Sequence, residues 1–318
     1  MLNLYHASDL ETLGELAVTV LAQPLSDPLA AAQIVVPSQG MGRWLTLKFA
    51  RDYGIAMQLD TQLPASFIWQ LARTVLGQLP EQSAFSTNTL TWRLYDWLCE
   101  SEHLEQAPRL AHYLAGCDEL RRYGLAARIA DVYDQYLLYR EDWLAAWERG
   151  ERLDLGPDEG WQADIWQWLT RDGHPHRARL LNDLTARLHD PEPIEGLPER
   201  LLVFGLSSLP PQQLLVLEAL AKHTDVLVFA LNPSREAWGD LRDLRELARR
   251  PELALAPEDP DSWYLDVGHP LLASLGKQGR DFFEALFSLE GQEIGVYAED
   301  DAEPTHLLQA IQQDILRL

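Results

Sequence analysis

Lysine is the rarest charged residue of this 318-residue chain, and its scarcity excludes two kinds of catalytic site. It occurs at Lys48, Lys222 and Lys277. A Walker A loop needs a lysine between a glycine and a serine or threonine, and no lysine of the chain has that context. A restriction-type nuclease site needs an acidic residue two positions before a lysine, and those positions hold Thr46, Leu220 and Leu275. The sequence therefore predicts that this chain is not an enzyme by itself.

Cysteine and long apolar runs are also scarce. Cys99 and Cys117 lie in segments with helical periodicity and lack the spacing of a zinc site, so we expect two inert thiols. His174 and His176 flank a proline and have no third metal ligand nearby in the sequence. No apolar run is long enough to span a membrane, and the first residues lack the layout of a signal peptide. We expect a cytoplasmic protein with no membrane association, no metal and no cofactor.

Positive charge is limited as well, with 26 lysines and arginines against 49 acidic residues and a formal net charge of −23. Nonspecific nucleic-acid binding requires basic side chains to neutralise phosphates, so any DNA contact must be local. Arginine supplies nearly all of the basic side chains, which suits bidentate contacts and base stacking, although a GC-rich genome would produce the same bias.

Apolar periodicity predicts an α/β protein. A strand from Leu2 to Tyr5 precedes a helix that begins with a capping box, Ser8 to Glu11. A strand at 34–36, an apolar helix at 64–76 and, much later, a strand, helix and strand between 201 and 231 predict an interrupted parallel sheet.

The remaining segments differ in character. Residues 85–190 have long amphipathic stretches with tryptophan at helical spacing, and a proline-rich acidic linker follows at 190–196. Residues 251–268 and 290–304 are predicted to be surface loops, and 271–289 and 306–318 to be helical.

The turn after the second strand, Pro37-Ser38-Gln39-Gly40-Met41-Gly42-Arg43, has the layout of a phosphate-binding turn without its lysine. From this segment alone it is either an ordinary α/β crossover or the remnant of an ATP site.

Several blocks of sequence, in order, resemble the N-terminal region of the RecC family, the gamma chains of bacterial exodeoxyribonuclease V (the RecBCD complex). They are Pro64 to Trp69, Asp134 to Leu144, Leu209 to Pro211, Asn232-Pro233 with Trp238 to Asp240, and Gly268 to Lys277. The resemblance runs from Leu2 to Leu318. Family members are longer, so we expect this chain to correspond to their first part.

The resemblance implies a parallel-sheet fold like that of superfamily 1 helicases, derived from a P-loop domain that has lost its ATP site. Residues 1–80 and 196–318 would form two parts of this core, and 81–195 a mostly helical insertion domain. It also implies a noncatalytic subunit in a heterotrimer with RecB-like and RecD-like subunits. Such a subunit guides unwound DNA in recombinational repair and scans the 3′ strand for the hotspot Chi.

The resemblance further implies which residues line the Chi tunnel. They are Pro37, Gln39, Arg43, Leu63, Trp69, Asp131, Val132, Asp134, Gln135, Arg140 and Arg177. Positions 131, 134, 135 and 138 share one stripe of a helix, so acceptors can face one channel wall. Carboxylates accept from cytosine, arginine donates bidentately to guanine, and Trp69 can stack on a base. Arg177 can hold a phosphate or a guanine edge.

The chain departs from the resembled family mainly in the turn, where Pro37, Gln39 and Arg43 replace Gln, Thr and Gln; Val132 also replaces a Leu. The hotspot sequence is therefore expected to differ, or its recognition to be weak.

Simpler roles stay open for some of these side chains. Trp69 either lines the channel or belongs to the core, and Asp134 and Arg140 either face the strand or pair with each other. Arg177 either contacts DNA or caps a helix. The whole chain is either the DNA-guiding subunit or an inactive helicase-like scaffold that assembles partners without reading sequence.

Overall fold

The computed structural model describes residues 1–77, 79, 83–236, 238–239, 269–297 and 304–317. The chain divides into two compact units. Residues Met1–Val75 with Leu188–Leu318 form the first, here called the sheet unit, and Leu76–Arg187 form the second, the helical unit. The domain boundary predicted at 80 and 81 and the loop predicted at 251–268 lie outside the described residues, and the domain assignment stays a prediction.

Six strands among the described residues form one sheet, and all of its pairings are parallel. The strands are Leu2–Ala7 (β1), Ala32–Val35 (β2), Leu59–Gln62 (β3), Arg200–Phe204 (β4), Asp225–Leu231 (β5) and Gln292–Gly295 (β6). Their order across the sheet is β3-β2-β4-β5-β1-β6. The central strands β4 and β5 are almost wholly buried, as expected of a parallel sheet covered on both faces. The predicted α/β class with a parallel sheet is confirmed.

The helices of the described chain are, in order, Leu10–Leu21 (α1), Gln39–Tyr53 (α2), Pro64–Leu76 (α3), Thr87–Cys99 (α4), Ser101–Glu105 (α5), Pro108–Leu114 (α6), Glu119–Tyr139 (α7), Glu141–Glu148 (α8), Glu159–Thr170 (α9), Arg177–His189 (α10), Pro211–Leu220 (α11), Pro270–Leu275 (α12), Lys277–Phe287 (α13) and Leu307–Arg317 (α14). Helices α4 to α10 account for the predicted helical stretch. Their core is built around large aromatic side chains, and Tyr133 stacks on Trp166 with ring centroids 5.7 Å apart.

Three local predictions are wrong. The cap of α1 is Asp9 rather than Ser8, because the Asp9 carboxylate accepts from the Thr12 amide at 2.7 Å. The predicted loop at 290–304 contains strand β6, whose exposed side chains hide the strand signal. The predicted helix at 271–289 is two helices that meet at Gly276, whose amide donates to the Leu272 carbonyl and ends α12.

Candidate nucleic-acid interface

The predicted turn, residues 37–43, is the start of α2: Pro37 precedes the N-cap Ser38, Gln39 and Arg43 lie in the first two helical turns, and all three predicted site residues are exposed. Ser38 caps α2 by accepting from the Met41 amide at 3.2 Å. The turn therefore starts a helix at the carboxyl end of a parallel strand, the position at which α/β folds commonly bind ligands.

The two glycines of this turn have different surroundings. A methyl group on Gly42 would lie 3.0 Å from Thr61 Oγ1 and 3.1 Å from Thr61 Cβ, so Gly42 lets α2 pack closely on β3. A methyl group on Gly40 would have only Ser38 Oγ nearby, at 3.7 Å. Close packing therefore accounts for Gly42 without a phosphate.

Leu63 and Trp69 belong to the neighbouring connection, between β3 and α3. Leu63 directly follows β3, and its carbonyl accepts from the Phe67 amide at 3.0 Å to begin α3. Trp69 is partly exposed and interacts with at least one other residue, whereas its neighbours Phe67 and Ile68 are buried in the core. Because β2 and β3 are adjacent and parallel, both connections leave the same edge of the sheet.

Helix α7 carries the four predicted residues Asp131, Val132, Asp134 and Gln135 on its outer side. Asp131, Val132 and Gln135 are exposed and Asp134 is half-buried. The opposite side is fixed in the core of the helical unit by the Tyr133 hydroxyl, which donates to the Gln162 carbonyl at 2.5 Å. The stripe predicted from helical spacing therefore exists, and it is presented by a firmly packed helix.

Arg177 lies at the first position of α10 and interacts electrostatically with Asp134. Burial lowers the pKa of the Arg177 guanidinium, while Asp134 and Tyr139 favour its charged form. The start of α10 is capped by His176, whose Nδ1 accepts from the Arg179 amide at 3.3 Å. Arg177 is thus not the cap, and a cation at the positive end of a helix dipole is unfavourable for the helix.

Arg140 ends α7 and is exposed. Its Nη1 donates to the Tyr139 carbonyl at 2.9 Å, and its guanidinium lies 5.2 Å from the ring centroid of Trp143. In the described part of the chain Arg140 forms no ion pair with Asp134, whose electrostatic interaction is with Arg177 instead. The intrahelical ion pair considered from the sequence is therefore wrong.

The predicted site residues thus fall into two groups. The sheet unit holds Pro37, Gln39, Arg43, Leu63 and Trp69; the helical unit holds Asp131, Val132, Asp134, Gln135, Arg140 and Arg177. Within the second group, carboxylate acceptors and a guanidinium donor lie together on an accessible surface, which suits hydrogen bonding to base edges. Tyr139 was missed by the sequence reasoning: it is 60% exposed and interacts electrostatically with Arg177. The sequence would predict Tyr139 as a further exposed residue of α7 if the last residue of this helix were known.

Among the described residues, no group of three or more His, Cys, Asp or Glu side chains is placed to hold a metal ion. A cavity of about 670 Å³ in the sheet unit is lined by residues that include Trp238 and Phe283. Several of its ionic groups contact each other, since Arg235 pairs with Glu236 at 3.4 Å and His6 Nε2 lies 2.9 Å from Glu293. In the described part of the chain no helix is both long and apolar enough to span a membrane.

Comparison with protein families gives a match to the model described as RecC, N-terminal domain, over residues 2–318. Curated relatives named RecBCD enzyme subunit RecC are similar along the whole chain. The protein of Escherichia coli K12 is 37% identical over 347 residues, which cover 100% of this chain and 31% of that protein. The protein of Haemophilus influenzae is 31% identical, covering 100% and 33%, and that of Mycolicibacterium smegmatis 31%, covering 99% and 28%. The chain thus spans about a third of the length of these relatives.

Proposed function

Because this chain belongs to the RecC family, we propose that it is a noncatalytic, DNA-guiding subunit of a RecBCD-type helicase and nuclease. In this role it assembles with RecB-like and RecD-like subunits in a cytoplasmic heterotrimer that processes double-strand breaks for homologous recombination. It guides the unwound DNA and scans the 3′ strand for Chi. The family match over residues 2–318 is the observation that carries this proposal.

We further propose that the sheet unit is a helicase-like core whose ATP site has been lost and that the helical unit is an insertion into it. The surroundings of Lys48 support this. Its ammonium group pairs with Glu11 at 3.3 Å and Asp52 at 3.2 Å, and its side chain is only 9% exposed. The lysine on α2 is therefore engaged in packing α2 against α1 and is not available to a phosphate.

The strand-reading surface in this proposal is the stripe of α7 together with Arg140 and Arg177. Asp131 and Asp134 would accept from cytosine amino groups, and the guanidinium groups would donate to guanine or to phosphate. The position of Arg177 supports this role. Placing a half-buried cation at a helix N-terminus weakens the helix, and proteins retain such unfavourable choices mainly at functional sites.

Pro37 and Arg43 support a further part of the proposal, that this chain reads a different hotspot sequence from its relatives. Pro37 has no amide hydrogen to donate, and Arg43 presents a guanidinium where the resembled family has an amide. Both side chains are exposed, so neither substitution is explained by packing. The hotspot read by this protein would therefore differ from that of its relatives.

The experiment is reconstitution of the full complex and comparison of the degradation of Chi-bearing and Chi-free DNA. Arg140→Ala and Arg177→Ala are expected to abolish the difference between the two DNAs while unwinding continues. Arg179→Ala is the matched control. Arg179 lies on the same helix as Arg177, but the carboxylate near its guanidinium is that of Asp183, with Nε 4.0 Å from Oδ2. If Arg140→Ala instead stops unwinding, the chain is a scaffold that does not read sequence.

A further inference from the structure

A second surface of the helical unit has features of a nucleic-acid contact that the proposed function does not use. The indole of Trp92 on α4 is 59% exposed and lies 5.2 Å from the ring of Tyr123 on α7 and 5.9 Å from that of Tyr95. Tyr123 is 38% exposed. We call Trp92, Tyr95 and Tyr123 the aromatic patch. Contiguous exposed apolar surface of this kind is a candidate interaction site.

A guanidinium, that of Arg122, lies next to Tyr95 of the aromatic patch, and the exposed carboxylates Asp96 and Glu119 lie one helical turn from Trp92 and Tyr123. Arg122 is partly buried, its Nη1 lies 3.8 Å from Cys99 Sγ, and its Nε has no hydrogen-bond partner within the described ranges. Arg121 and Arg128 are exposed on the same helix. Taking only described residues into account, none of these three arginines forms an ion pair with a carboxylate. Burial lowers the pKa of the Arg122 guanidinium, but Cys99, Cys117 and Tyr95 raise it more, so Arg122 is a charged group without a carboxylate partner beside the aromatic patch.

The aromatic patch is also continuous with the candidate strand-reading stripe. Tyr123 and Asp134 lie near the same edge of α7, since a difference of eleven positions brings a helix back to within about 20° after about three turns, or roughly 16 Å. A strand that follows α7 past Asp134 would therefore reach the patch.

We propose that the aromatic patch and Arg122 form a second, sequence-tolerant contact for single-stranded DNA, with bases stacked on Trp92 and Tyr123 and a phosphate at Arg122. This inference rests on the proposed function and extends it from reading the strand to holding it. Stacking tolerates any base because every base has a π face, and the guanidinium supplies the charge that tracks the backbone. A second contact of this kind keeps the strand on α7 while its sequence is scanned.

Cys99 gives a local readout, because it is exposed and lies next to Arg122. In the Cys117→Ser variant Cys99 is the remaining thiol of the chain. Its rate of modification by a maleimide is measured with and without oligothymidylate, at DNA concentrations that saturate the fluorescence anisotropy of the labelled oligonucleotide. The DNA is expected to slow modification several-fold, and Trp92→Ala is expected to remove that protection.

Affinity provides the second measurement. Trp92→Ala is expected to weaken binding by roughly 5- to 100-fold, equally for oligonucleotides of different sequence, and Trp92→Phe is expected to restore most of it. Arg122→Gln is expected to lower the slope of log affinity against log salt by about 0.7, the value for one phosphate contact on a single strand. Tyr53→Ala, which removes an exposed aromatic side chain from the sheet unit, is the control and should change neither quantity.

The outcomes separate this inference from the proposed function. If saturating DNA leaves Cys99 modification unchanged while Arg177→Ala weakens binding, the aromatic patch is not a DNA contact and the strand-reading proposal stands. If Trp92→Ala leaves DNA affinity unchanged but prevents assembly with partner subunits, the patch is a protein interface and the inference is wrong. If the chain binds no single-stranded DNA at low salt, this inference fails, whereas the proposed function is decided by the reconstituted complex.

Discussion

Gly42 tests whether the glycine turn is built for packing rather than for a phosphate. In Gly42→Ala the added methyl group would lie 3.0, 3.1 and 3.4 Å from three atoms of the Thr61 side chain on β3. Such overpacking costs about 1–3 kcal/mol, whereas replacing glycine by alanine inside a helix gains up to about 1 kcal/mol. We therefore expect Gly42→Ala to destabilise the sheet unit by about 0–3 kcal/mol.

Gly40→Ala is the matched control, since both glycines lie in the first turns of α2. The Gly40 methyl group would make one ordinary contact, with Ser38 Oγ at 3.7 Å, so this variant should gain up to about 1 kcal/mol. Both variants gain the same helix propensity. The difference between their free energies of unfolding, about 1–3 kcal/mol, therefore isolates the contact with Thr61.

Hydrogen–deuterium exchange of the β2 and β3 amides is the suitable assay, because it reports the opening free energy of this part of the sheet without requiring the two units to unfold together. Protection should fall in Gly42→Ala relative to Gly40→Ala. Equal protection in the two variants would refute the packing role of Gly42 and would reopen a ligand-binding explanation for the turn.

Three further predictions concern buried or partly buried polar groups. Tyr133→Phe should destabilise the helical unit by about 0.5–1.5 kcal/mol in hydrogen exchange, because one hydrogen bond is lost while the Gln162 carbonyl keeps its partner within α9; an unchanged value would show that the Tyr133 hydroxyl does not fix α7. Lys48→Met should change the thermal midpoint little, because its carboxylate partners can return to water, whereas Lys48→Glu should lower the midpoint by placing a further carboxylate beside Glu11 and Asp52; equal effects would contradict the pairing of Lys48 with these carboxylates. Burial raises the pKa of the Tyr297 hydroxyl from 10.0 to about 12, so as pH rises the unfolded chain loses this proton before the folded chain does. The contribution of Tyr297 to the free energy of unfolding, measured in urea, should therefore be constant below pH 10 and fall between pH 10 and about 12. Tyr297→Phe should remove the part of the stability loss that is due to this hydroxyl. A pH profile of stability identical to that of the unaltered chain would contradict this prediction.

The sequence predicts the elements that rest on local periodicity. The helix Pro64–Leu76 and the strands β4 and β5 follow from apolar spacing alone, and the parallel sheet follows from their order. The edge strand β3 was not predicted, because Asp60, Thr61 and Gln62 carry no alternation of apolar and polar residues. An edge strand has a partner on one side only, and its pairing is decided by the sheet rather than by its own residues.

The candidate site also has one part that the sequence predicts and another part that it does not. Helical spacing is enough to place Asp131, Asp134 and Gln135 on one stripe of α7. The interaction of Asp134 with Arg177 joins residues far apart in sequence and depends on how α10 packs in the helical unit. The contact of Trp92 with Tyr123 is equally nonlocal, and no periodicity within either helix indicates it.

The central claim is that this chain reads the sequence of a single strand, and a randomised DNA library tests it most directly. The reconstituted complex degrades DNA that contains a random segment, and the surviving ends are sequenced. The account predicts a preferred sequence upstream of the ends and the loss of preference at individual positions in Arg140→Ala and Arg177→Ala. Surviving ends without any base preference, with unwinding intact, would contradict it.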